Sequence, residues 1–355
     1  MPPGIGAVLS YWPFEPVVLI GVAIAAMLYV VGGVGRPHKH RAGSAASHWR
    51  AAAFWLGLLS ILLALQSPIE MLARQLFWVH MIQHLLLMVV AAPLLALSSP
   101  WTRMWRALPL GVRRSVARPV FLHPRLGPLR SIYHQMARPG VIWVLAAANL
   151  WLWHLPAIYD LTLRNHLVHH VEHGLFLGLG LAFWAHVFDQ HPFRAPLGSL
   201  ARASYVFFAM VQSWGLAGVL SFATSPFYAY AQLPSRPGGI SALTDQQLAG
   251  GMMWVPGAIT YSIVFVYLLF KWLAEEDARA HQVVPEMPTG SLEPMRPDPG
   301  VRGPVPASSR TFSALLAGPP LPSARTTRIS KSLGRPSGPT SQIPGLVEQG
   351  QAHGG

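Results

Sequence analysis

The sequence predicts an all-α fold, a polytopic membrane helix bundle of about seven transmembrane helices, and three observations predict it. Of 355 residues, 52% are hydrophobic and only 11% charged, with a mean hydropathy of +0.37, a balance far from that of a soluble domain. The apolar residues gather into runs of about 20, the length a helix needs to cross roughly 30 Å of hydrocarbon. Inside a bilayer a segment must satisfy its own backbone hydrogen bonds, so each run is read as a helix.

The runs fall at 17–35, 49–66, 78–97, 139–156, 168–188, 203–223 and 247–273. The first is a retained span: the leading Met-Pro-Pro-Gly-Ile-Gly-Ala lacks a basic region, and the apolar stretch after Pro16 is too long for a secretory signal. Basic residues alternate between the joints. Those after spans one, three and five hold fourteen, among them Arg36, Lys39, Arg41, Arg50, Arg194, Arg202 and the run from Arg103 to Arg138; the others hold only Arg74, Arg164 and Arg236. Arginine and lysine resist translocation, so the N-terminus is expected outside and the C-terminus in the cytoplasm. The acids Glu15, Glu70, Asp160, Glu172 and Asp245 then lie on the outer side. The joint at 98–138, with Trp101, Trp105, Arg113 and Arg114, reads either as a segment along the inner leaflet or as a solvated orientation signal.

Beyond Ala274, Pro, Gly, Ser and Arg dominate. This predicts a transmembrane domain at 1–273 and a disordered cytoplasmic tail at 274–355. No internal repeat is evident, so an inverted-repeat transporter gains no support. The net charge of +13 is explained by orientation in the membrane and does not call for nucleic acid. Cysteine is absent, which excludes disulfides, thiolate metal sites and Cys relays. A metal must be held by His, Met, carboxylate or backbone oxygen.

Histidine supplies the candidate site. His80 and His84 share one face at the start of span three, His154 closes span four, and His166, His169, His170 and His173 form a stripe at the start of span five. With the expected topology all reach one depth, at the outer side, where ionisable groups are costly and mark function. Span seven begins with Asp245 and Gln246 and continues through Met252 and Met253. The candidate metal ligands are therefore His80, His84, His154, His170, His173, Met252, Met253 and Asp245, with Gln83, Asn149, Glu172 and Asp245 placed to orient the rings. Imidazole with thioether and no thiolate is most consistent with copper. Each feature also has a structural reading: a histidine can be a satisfied hydrogen-bond donor, and Met252 and Met253 can be core filling. His186 lies at the wrong end of its span, and His38, His40, His48, His123, His134, His191, His281 and His353 belong to loops, surface or tail.

Four stretches together resemble the CtaG family of cytochrome c oxidase assembly factors: His80-Met-Ile-Gln-His84, Trp153-His154-Leu-Pro156-Ala-Ile-Tyr159-Asp160, His170-Val-Glu172-His173 with Phe183-Trp184, and Asp245 to Gly257. The resemblance spans 49–273 and implies a seven-helix protein of the bacterial plasma membrane. Such a protein would be non-enzymatic and would serve heme-copper oxidase subunits by handling copper. The cysteine-containing copper chaperone that shares the family's name is excluded by composition. Three alternatives use the same residues: a membrane di-iron desaturase or hydroxylase with HxxxH and HxxHH boxes, a b-type cytochrome with axial histidines, and a metal-free structural partner of the oxidase. Nothing points to hydrolysis or phosphate chemistry.

Overall fold

A computed structural model of the protein describes residues 12–34, 44–115, 124–190, 197–232 and 236–283. Outside them lie Arg36, His38, Lys39, His40, Arg41, Arg118, His123, His191 and Arg194, and the expected tail from 284 onward. Among the described residues every regular element is helical. The helices are α1 (Pro16–Val31), α2 (Ser44–Leu65), α3 (Pro68–Ala73), α4 (Phe77–Ser98), α5 (Trp101–Ala107), α6 (Gly127–Met136), α7 (Pro139–Trp153), α8 (Pro156–Arg164), α9 (His166–Val187), α10 (Ser199–Ser221) and α11 (Ala242–Val283).

A helix lies on each of the seven apolar runs. Four segments are long and apolar enough to cross a membrane: His48–Leu65, Phe77–Ser98, Ser199–Ser221 and Ala242–His281. α7 and α8 together make a fifth, broken by a 73° bend, while α1 is apolar but shorter. The chain is a multi-pass membrane protein by this measure, and Ile24, Met27, Ile259, Ile263 and Phe270 expose large apolar side chains as a lipid-facing surface does. In α9 the apolar character is diluted by five histidines and Glu172. α11 continues through Pro256 to Val283, past the boundary expected at 273.

Local chemistry sets the helix starts. Proline opens α1, α3, α7 and α8, where its missing N–H has no helical partner to lose and its φ is already helical. In α4 the backbone widens to a π-helix over Leu86–Ala91, just before Pro93, which cannot donate. Carbonyls of this wide turn find side-chain donors: Ser60 Oγ donates to Leu86 O at 2.8 Å and Trp184 Nε1 to Met88 O at 2.9 Å. Single π turns recur at functional sites, and this one follows His80 and His84 directly.

The most extensively packed pair is α10 with α11. Gly250 makes that approach possible, because a Cβ there would meet Ser221 Oγ and come within 2.8 Å of the Ala217 carbonyl oxygen. Among the described residues three large apolar clusters fill the bundle, with a small fourth of Ala73, Leu76 and Val79. One joins α1, α2 and α4 around Tyr29 and Phe54, stacked at 3.8 Å. A second packs Trp184, Phe183 and Tyr261 with Val206 and Met210. The third, of Phe77, Met81, Trp153, Tyr159, Phe176, Tyr228, Tyr230 and Met253, surrounds the histidines.

Candidate metal centre

Three local devices hold the histidine-bearing helices together at one end of the bundle. Asn165 Oδ1 accepts the N–H groups of Leu167 at 2.9 Å and Val168 at 3.3 Å, which starts α9 at His166. Asp245, in the first turn of α11, caps α4: Oδ2 accepts the Phe77 N–H and Oδ1 the Trp78 N–H, each at 3.0 Å. α7 ends at His154 because Pro156 offers no N–H and holds Leu155 extended. The Tyr228 hydroxyl donates to the His154 carbonyl at 2.9 Å. Burial, with Asp160 nearby, pushes that hydroxyl above its ordinary range and keeps it a donor.

With α4 and α9 so registered, His80 and His84 face one way and His169, Glu172 and His173 face back at them. All five are buried, Glu172 completely. One ligand atom from each of His80, His169, Glu172 and His173 lies within 4.8 Å of the others. Glu172 stands between the two α4 rings, with Oε2 3.6 Å from His80 Nε2 and Oε1 3.5 Å from His84 Nε2. Among the described residues, His80 Nε2, both His84 ring nitrogens, His173 Nε2 and both Glu172 oxygens have no hydrogen-bond partner.

This arrangement is expensive as a purely structural one. An unsatisfied buried polar group costs about 1–3 kcal/mol, and an uncompensated charge costs more. A cation among these atoms would satisfy several of them at once, and imidazole nitrogen with carboxylate oxygen suits Cu(II), Zn(II) or iron. The residues therefore fit a metal ion.

The surroundings orient the donors. Glu70, buried on α3, accepts from Arg74 Nη2 at 3.0 Å and from Gln83 Nε2 at 2.7 Å, and its Oε1 is 3.9 Å from His169 Nδ1. Gln83 is fixed in turn by donating to the Ala64 carbonyl at 2.8 Å. Tyr159 sets its ring edge-on to His80 at 5.2 Å between centroids. A cavity of about 200 Å³ reaches the cluster from the α1 side, with Glu15, Glu70, His169, His170 and His173 among its walls. Gln66 holds that edge by donating to the Glu15 carbonyl at 2.7 Å, and Glu15 Oε2 lies 3.3 Å from His170 Nε2.

The family model of the cytochrome c oxidase caa3 assembly factor (Caa3_CtaG) matches residues 27–275, the stretch that holds the whole cluster. The chain belongs to this family. Uncharacterized proteins of Mycobacterium bovis and Mycobacterium tuberculosis are each 26% identical to it over 289 residues, covering 78% of this chain and 42% of their own length. The chain thus spans less than half the length of these curated relatives. A Mycobacterium leprae protein matches to the same extent. No solved structure matches the chain.

In this caa3 assembly-factor family member, the residues expected from sequence separate into groups. His80 and His173 are in the cluster, and His84 joins through Glu172. His154 points instead at Met81, with Nε2 3.3 Å from Sδ, and Met253 is buried in the same region. His170 was expected among the ligands, but α9 turns it toward Glu15, and His169 takes the inner position. Asp245 has both oxygens engaged in the α4 cap, and Met252 is only partly buried and outside the cluster. His169, Glu70 and Met81 were not among the expected site residues. For His169 a signal was present: with Glu172 and His173 it forms an i, i+3, i+4 face. Glu70 and Met81 carry no such pattern.

Proposed function

We propose that this chain handles copper for the assembly of a heme-copper oxidase, acting as a non-enzymatic factor that holds the ion among His80, His169, Glu172 and His173. The observation that carries the reading is that set of convergent, buried donors, with His80, Glu172 and His173 each presenting an unpartnered atom, in a family of oxidase assembly factors. Three imidazoles and one carboxylate bind a transition metal well, and His84 stands close enough to exchange into the set. Ligand exchange of that kind lets an ion be passed on to an oxidase subunit.

The seven apolar helices are read as seven spans in the bacterial plasma membrane, α7 and α8 counting as one. The arginine distribution supports an outer N-terminus and a cytoplasmic C-terminus, which sets the cluster at the outer face. The donor set would there meet an ion arriving from outside.

The test is elemental analysis of the detergent-purified full chain from copper-supplemented cells, beside the His80→Ala, His169→Ala double variant. Copper near one per chain that is lost in the variant is the expected result. Full copper retention in the variant overturns the site, and full oxidase activity in cells carrying only the variant overturns the function.

A further inference from the structure

Beside His84 is a second group of donors with different chemistry. A cavity of about 20 Å³ has Met81, Met88, Met253, His84 and His154 among its lining residues, together with Ser213 and Tyr261. Such a volume admits one small ion or water. Among the described residues no carboxylate lines it.

One contact between two of its lining residues brings two acceptors together when the ring is neutral. His154 Nδ1 lies 2.7 Å from the Leu150 carbonyl, so this nitrogen carries the ring proton and donates it. In the neutral ring Nε2 is then a bare lone pair, yet it faces the Met81 sulfur, itself an acceptor, at 3.3 Å. Two acceptors that close suit a shared cation. Metal–nitrogen and metal–sulfur bonds of roughly 2.0 and 2.3 Å spanning that separation meet at about 100°, near the tetrahedral angle. Both side chains are buried, and beside them His84 Nδ1 makes no hydrogen bond among the described residues, while its Nε2 faces Glu172.

Charge separates this site from its neighbour. Neutral donors alone cannot offset a divalent ion, whose desolvation is far costlier than that of a univalent one. Thioether selects soft ions. We infer that Met81 and His154, with His84 and Met253, form a distinct site for a soft univalent cation, Cu(I) or its mimic Ag(I), beside the carboxylate site. This deepens the copper reading and rests on it for the ion's identity.

The test uses the detergent-purified full chain, titrated separately with Ag(I) and Zn(II). Retained metal is measured by elemental analysis and the silver shell by X-ray absorption. Three forms are compared: the natural chain, Met81→Leu and Glu172→Gln. Leucine nearly conserves the volume of methionine, so the fold is kept, and unchanged Zn(II) retention verifies it. Met81→Leu is expected to weaken Ag(I) binding at least tenfold and remove sulfur from the silver shell, while Glu172→Gln is expected to lose Zn(II) and keep Ag(I). Natural Ag(I) affinity in Met81→Leu, or loss of both ions together in Glu172→Gln, overturns the second site. Natural Zn(II) retention in Glu172→Gln overturns the carboxylate site instead, so the two failures are distinguishable.

Discussion

The carboxylate of Asp245 accepts the backbone N–H of Phe77 at 3.0 Å, tying the first turn of α11 to the first turn of α4 across 168 residues of sequence. His80 lies one turn beyond that cap. Removing it with Asp245→Ala is expected to cost about 1–2 kcal/mol, the usual worth of an N-cap. Asp245→Asn keeps one acceptor and should lose less. Chemical denaturation in detergent compares the two, and metal analysis separates cap from ligand: the Asn variant should retain its metal.

Glu172 gives the opposite signature. An uncompensated buried carboxylate destabilises the metal-free protein, so Glu172→Gln is expected to raise the thermal midpoint of that form. The gain in midpoint that added metal gives the natural chain should vanish in the variant, since binding to the folded state alone produces that gain. Thermal scans with and without Zn(II) measure both effects.

His169 and His170 are adjacent yet should behave unlike one another. His169→Ala removes a buried donor of the cluster and is expected to lower metal retention at least tenfold. His170→Ala removes only a partly exposed pairing with Glu15, worth under about 1 kcal/mol after solvent screening, and should leave metal retention within twofold. Equal losses in the two variants would return His170 to the ligand set.

Gly250→Ala tests the packing of α10 on α11. The added methyl would come within 2.8 Å of both the Ala217 carbonyl oxygen and the Ser221 nitrogen, and backbone cannot yield as a flexible side chain can. The helices must separate, at an expected cost of about 1–3 kcal/mol. Unfolding in detergent reads the loss directly.

Topology is tested by a reporter fused after residue 235, between α10 and α11. The arginine distribution predicts an external signal. A cytoplasmic one would invert the assigned orientation and move the cluster to the inner face.

The helices were legible because the hydrocarbon requirement leaves long apolar runs little choice, and Pro16, Pro139 and Pro156 mark three starts in the text of the sequence. His80 with His84 was legible for a similar reason, since i, i+4 spacing fixes a shared face. The choice between His169 and His170 was not. One residue is about 100° of rotation, and which side faces inward depends on the neighbours of α9. Asp245 was ambiguous in the sequence because a buried acid at a helix start serves equally as ligand or cap. Its capping contacts depend on Phe77 and Trp78, far off in sequence.

The π turn at Leu86–Ala91 makes α4 two helices in rotational terms. A wide turn accommodates one residue more than an α-helix would, so everything after it is advanced by about 100° relative to an uninterrupted helix. The half bearing His80 and His84 and the half packed on α2 and α9 thus face sides that an uninterrupted helix could not present together. Deleting a single residue there would straighten α4 into ordinary helix and force one half to turn away from its partners, so chain length within 86–91 is itself a determinant of where the imidazoles point.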